Sequence, residues 1–172
     1  MSRTPPLDLA LVSPRGELNR HGAATGLGGD AIARITVVND HPEFLETMYA
    51  ILDGAEGHAV AGFDGDETTL DDLVKSMPEL LIVDLRIAGD EMKGWDMLLL
   101  ARAEESLRDV PLVICSADVE TLNERAEEFQ RIGNIHTLAK PFTIDEVTAV
   151  VNKALGRSDR ARAITPPGPR WS

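Results

Sequence analysis

Between residues 34 and 156, short apolar runs alternate with stretches whose apolar positions recur every three to four residues. "RITVV" predicts a first strand. "HPEFLETMYAILDG" follows, with Phe44, Leu45, Met48, Ile51 and Leu52 at helical spacing, Pro42 near its start and Gly54 near its end. "HAVAGF" is a second strand, and "DETTLDDLVKSM" a helix with an acidic first turn, which the helix dipole favours. "LLIVD" is a third strand and "GWDMLLLARAEES" a helix. "PLVICS" is a fourth strand, followed by the helix "DVETLNERAEEFQRIG" with Asp118 as N-cap. "IHTLA" and "TIDEVTAVVNKALG", bounded by Thr143 and Gly156, close the series. Five βα units in strict alternation predict an α/β fold, a doubly wound five-stranded parallel sheet with helices on both faces. Right-handed crossovers restrict the topology further.

The flanks read differently. "TPP", "SPRG" and "HGAATGLGGD" near the beginning, and "RSDRARAITPPGPRWS" at the end, are breaker-rich and aperiodic. We therefore expect residues 1–32 to be a flexible extension, 33–156 one globular domain and 157–172 a flexible tail. "LDLALV" alternates weakly and is a minor candidate for an added edge strand.

Composition narrows the function classes. The net charge is −12, and the basic tail makes the middle of the chain more acidic still. No basic stripe is present to release counterions from a phosphate backbone, so no nucleic-acid partner is expected. The single cysteine, Cys115, lies inside "PLVICSA" and reads as an inert core thiol. No apolar run is long enough to span a bilayer and no signal peptide is legible, so no membrane partner and a cytoplasmic location are expected.

Candidate chemistry sits where the strands end. The first strand ends in Asn39-Asp40, the third in Asp84, the fourth in Ser116, and the fifth runs into Lys140-Pro141. Parallel strands bring these ends to one edge of the sheet, where ligands bind at the point of strand-order reversal. An aspartate closing a buried strand costs several kcal/mol unless something holds its charge. Two carboxylates, an amide, a hydroxyl and an ammonium around one crevice answer that need. Hard oxygen ligands of this kind suit Mg²⁺, which takes one or two carboxylates together with phosphate oxygens. The set is suited to phosphoryl transfer onto a carboxylate, a reaction driven by positioning and charge neutralisation.

The succession "VVND", "LLIVDL", "LVICSAD", "LAKPF" resembles the receiver domain of bacterial two-component response regulators, over about Arg34 to Gly156. The resemblance implies a flavodoxin-like (βα)5 fold and a signalling role rather than an enzyme, the protein catalysing only its own phosphorylation and dephosphorylation. It implies that Asp84 accepts a phosphoryl group from a histidine kinase or phosphotransfer protein. Asp40 would bind Mg²⁺ directly, with Asp84 and the backbone carbonyl of Arg86. Asn39, where the family usually has a second acid, would act through a metal-bound water. Ser116 would be the switch hydroxyl, Lys140 the phosphoryl-pairing ammonium, and Lys140-Pro141 a cis peptide. The face built by the fourth helix, fifth strand and last helix would be the output surface. A stand-alone receiver is expected, signalling by phosphorylation-dependent contact with an unknown downstream protein or by phosphorelay.

The sequence departs from the family pattern in three places. The loop "RIAGDEMKG" lacks the usual Pro and is about two residues longer. Thr137 takes the usual aromatic position, and Asn39 replaces an acid. These support an alternative, a pseudo-receiver that is not phosphorylated and serves as an interaction module. An aspartyl-phosphatase would need a second Asp where Arg86 stands, and a flavin-binding relative would need Gly, Ser and Thr in place of "NDHPEF".

Overall fold

Strands β3 (Leu80–Asp84) and β4 (Leu112–Ser116) are buried along their whole length, and β1 (Arg34–Val38) is buried beyond its first residue. That is why these runs are apolar throughout rather than alternating: helices cover both faces of a parallel sheet. A computed structural model describes residues 32–87 and 89–157. The expectations of flexible ends and of a docked "LDLALV" strand lie outside the described residues, apart from Ile32 and Arg157. Within them, β2 (Ala59–Phe63) and β5 (Ile135–Ala139) complete one parallel sheet in the order β2-β1-β3-β4-β5. The strand order reverses between β1 and β3.

The helices are α1 (Pro42–Met48), α2 (Leu70–Ser76), α3 (Glu91–Ala103), α4 (Val119–Glu124), α5 (Ala126–Ile132) and α6 (Ile144–Ala154). One core, containing Val38, Leu81, Val83, Leu98, Ile114 and Phe129, lies on the α2–α5 side of the sheet. The other, containing Ile35, Val37, Leu52, Ile82, Val113 and Val147, lies under α1 and α6. The doubly wound sheet predicted from the alternation is therefore the observed fold.

Several boundaries differ from the sequence pattern, each for a local reason. Beyond Met48 the first helix continues as a π-helical segment, Tyr49–Ala55. It carries Tyr49 to the edge of the sheet, where the phenol oxygen accepts the outward N–H of Gly62 at 2.7 Å. The second helix begins at Leu70, not at Asp66. Thr69 forms a reciprocal capping box with Asp72, while residues 64–67 are spent on a turn. The third begins at Glu91, three residues early, because Asp90 accepts the Met92 N–H. The fourth breaks at Arg125 (φ −91°, ψ 1°), whose guanidinium lies 4.5 Å from the Trp95 ring centroid. Asp118 and Thr143 cap α4 and α6 as expected.

Candidate functional site

Asp84 closes β3 and is 5% exposed, yet every donor needed to hold its charge is in place. Lys140 Nζ lies 2.5 Å from Oδ2. The Asn39 amide donates to the same oxygen at 2.8 Å. The backbone N–H of Arg86 donates to Oδ1 at 3.1 Å. Charge-assisted bonds of this kind are what make a buried carboxylate tolerable.

Each partner arrives by the sheet's geometry. Pairing of β3 with β1 aligns Val83 with Val38, so Asn39 follows beside Asp84. Pairing of β4 with β5 aligns Ser116 with Ala139, and the Lys140 N–H donates to the Ser116 carbonyl at 2.8 Å. The Lys140-Pro141 peptide is cis, as expected. Ser116 is 3% exposed, and its hydroxyl accepts the Asp118 N–H at 3.0 Å. Asp40 is next to Asn39 at the mouth, its side chain 16% exposed, with His41 Nε2 3.7 Å from Oδ1. The structure thus brings Asn39, Asp84, Arg86 and Lys140 into direct contact and sets Ser116 and Asp40 at neighbouring strand ends.

Both ends of the Asn39 amide are engaged. Its carbonyl oxygen accepts the His41 N–H at 2.7 Å, and its NH₂ group is turned to Asp84. A carboxylate must face the donor end of the amide and a backbone N–H the acceptor end, so the two partners fix its orientation. An amide oxygen carries two lone pairs, and the His41 N–H takes one of them.

Two neighbours escaped the sequence reading. Phe44, on the first turn of α1, lies under Lys140, with Nζ 4.4 Å from the ring centroid, and meets Phe142 edge-on at 5.8 Å. The "KPF" motif supplied the second ring, but nothing in the spacing pointed to the first. Gly94 touches the end of β3 so closely that a Cβ there would sit 2.2 Å from the Asp84 carbonyl oxygen. The longer loop between them closes by paired backbone bonds between Ile87 and Asp90, and buries Ile87. Lys93 on α3 then pairs with Asp66 at 2.5 Å, tying the loop before α2 to this side of the site.

Other side chains are placed away from chemistry. Burial pushes the Cys115 thiol up to about 12, which suits the inert core role. Asp118 is held below the usual carboxylate range by the N–H and hydroxyl of Thr121, with Arg86 the smallest contributor, so it is engaged chiefly in capping α4. Thr137 is exposed, and His136 points to the opposite face beside Lys153. Burial, and then Lys153, lowers the His136 pKa.

The donor set fits Mg²⁺. Asp40 and Asp84 offer hard carboxylate oxygens at neighbouring strand ends, the kind of donor Mg²⁺ takes while keeping several waters. No group of three or more His, Cys, Asp and Glu side chains that could hold a metal gathers among the described residues. No helix among them is long and apolar enough to cross a membrane.

The family model of the response regulator receiver domain matches residues 35–152. The regulatory protein AtoC of Escherichia coli is 33% identical over 128 residues, covering 73% of this chain and 26% of AtoC. The chain thus spans about a quarter of that relative's length. The receiver domain of the sensor histidine kinase PA1611 from Pseudomonas aeruginosa was crystallised with a magnesium ion coordinated in its active site cleft. It is 25% identical, with a TM-score of 0.57, covering 73% of this chain and 99% of that one. The chemotaxis protein CheY4 of Vibrio cholerae, 22% identical, shares the fold with a TM-score of 0.62, covering 72% of this chain and 99% of that one.

Proposed function

The chain belongs to the response regulator receiver family, and from that premise we propose that it accepts a phosphoryl group on Asp84 and signals by it. The donor is a histidine kinase or phosphotransfer protein. An Asp84 oxygen forms the P–O bond as the P–N bond to the phosphohistidine breaks, and the leaving imidazole takes up a proton. The observation that carries this reading is the buried Asp84 carboxylate, held by Lys140, Asn39 and the Arg86 N–H at the switch point of the sheet.

In this reading Lys140 follows the charge from carboxylate to phosphoryl oxygens, and Ser116 offers its hydroxyl from the adjacent strand end. Asp40, Asp84 and the Arg86 carbonyl would hold Mg²⁺, which when bound supplies neutralisation of the phosphoryl charge. The added −1.5 to −2 charge or so shifts an equilibrium between inactive and active forms. Output passes to a downstream protein by contact or by phosphorelay, without nucleic acid or membrane, in the cytoplasm. The groove of about 460 Å³ between α4, α5, β5 and α6, which Thr137 and Ala139 line, is the surface available for that contact.

Intact-mass spectrometry after incubation with acetyl phosphate and Mg²⁺ tests the proposal. One phosphoryl adduct is expected on the wild type and none on Asp84→Asn. No adduct on either would favour the pseudo-receiver, to which Asn39 and Thr137 lend support. An adduct persisting on Asp84→Asn would overturn the assignment of the acceptor.

A further inference from the structure

We propose that Asn39 is a positioning residue that keeps the acceptor site assembled without metal. The inference rests on the reading of Asp84 and Asp40 as a Mg²⁺-assisted acceptor site. Asn39 is fully buried, and both ends of its amide are engaged. His41 N–H holds the oxygen at 2.7 Å, and the NH₂ reaches Asp84 Oδ2 at 2.8 Å. The backbone on either side is anchored as well. Asn39 N–H donates to Phe63 O at 3.2 Å, and Gly65 N–H to Asn39 O at 3.3 Å. The amide is therefore aimed by the end of β2, by Gly65 just beyond it and by His41, the N-cap of α1, and it delivers a neutral donor to the oxygen that Lys140 also grips.

An acid at this position would do the reverse. A third carboxylate would stand against Asp84 at hydrogen-bond distance, and like charges so placed repel unless a proton or a cation intervenes. Such a site would lean on divalent metal for its stability. With an amide there, Lys140, Asn39 and the Arg86 N–H together satisfy Asp84 beforehand. Metal binding then adds less to folding stability than it would with an acid at this position, and phosphoryl acceptance finds its carboxylate already oriented.

Thermal unfolding of the unphosphorylated protein in EDTA and across a MgCl₂ series tests this, with Asn39→Asp, Asn39→Ala and the double variant Asn39→Asp/Asp84→Asn. The wild-type melting temperature should rise with Mg²⁺ only as far as mass action requires, and by clearly less than that of Asn39→Asp. Asn39→Asp should melt lower in EDTA by about 5 °C, and recover as Mg²⁺ is added. The double variant should regain much of the loss in EDTA, because it removes the repulsion. Should Asn39→Asp fail to fold in EDTA, Asn39→Ala serves. It removes the donor without adding charge, and should melt below the wild type in EDTA. Wild-type stability in EDTA for both single variants, or a Mg²⁺ shift in the wild type as large as in Asn39→Asp, would overturn the proposal. None of these readouts requires phosphorylation, so a missing mass adduct would count against the acceptor reading while leaving this one to stand or fall separately.

Discussion

Gly94 shows how little slack surrounds Asp84. Its missing side chain lets the first turn of α3 rest against the carbonyls of Asp84 and Leu85, where a Cβ would come within 2.2 and 2.5 Å of their oxygens. Backbone atoms cannot swing aside as the tip of a side chain can. Gly94→Ala should therefore lower stability by ~2–4 kcal/mol, read from the urea midpoint, and slow the appearance of the phosphoryl adduct. Unchanged stability would mean that α3 can lift off β3 without cost. At this scale the sequence was informative where a residue closes a strand. Asp84, Ser116 and Lys140 each follow an apolar run, and their placement needs only parallel pairing. Contacts across the sheet were out of reach. The amide direction of Asn39 depends on the His41 N–H, and the seat of Lys140 depends on a ring from α1.

Elements were legible in number and order, and less so at their ends. Strand runs such as "LLIVD" and "RITVV" coincide with β3 and β1 because burial on a parallel sheet selects largely apolar runs. Helix starts shifted where a short polar side chain claimed the cap: Thr69 moved α2 later and Asp90 moved α3 earlier. The π-helical turn left no periodic signature, since it differs from an α-helix only by one residue in its bonding. Between elements, Arg102 on α3 acts as a pin. Its guanidinium donates to the carbonyls of Leu107 at 3.3 Å, Val110 at 2.8 Å, Gly133 at 3.3 Å and Asn134 at 3.1 Å. Burial lowers its pKa. These bonds join the connection before β4 to the one before β5. Arg102→Lys keeps the charge but loses the planar fork, and should destabilise by ~1–3 kcal/mol in chemical denaturation. A change within experimental error would show that water replaces the lost donors.

Across the whole molecule, the 2-1-3-4-5 order puts β3, with Asp84 at its end, at the centre and leaves β2 and β5 as edges. Alternation and crossover handedness narrowed the possible orders and the family resemblance implied a flavodoxin-like one, whereas the fate of each edge depends on which side chain covers it. On the β2 side, Tyr49 takes the outward N–H of Gly62, and burial pushes its phenol pKa up, which keeps the hydroxyl protonated. Tyr49→Phe should cost ~1 kcal/mol in stability, from the unmet backbone donor. It should also speed clouding on mild heating, followed by light scattering at matched concentration; equal clouding rates would assign the phenol no protective part. An open strand edge is a template on which another chain can lengthen the sheet. By occupying a donor that such growth would need, a single phenol from α1's π-helical extension withholds one rung from any strand that would lengthen the sheet on this side.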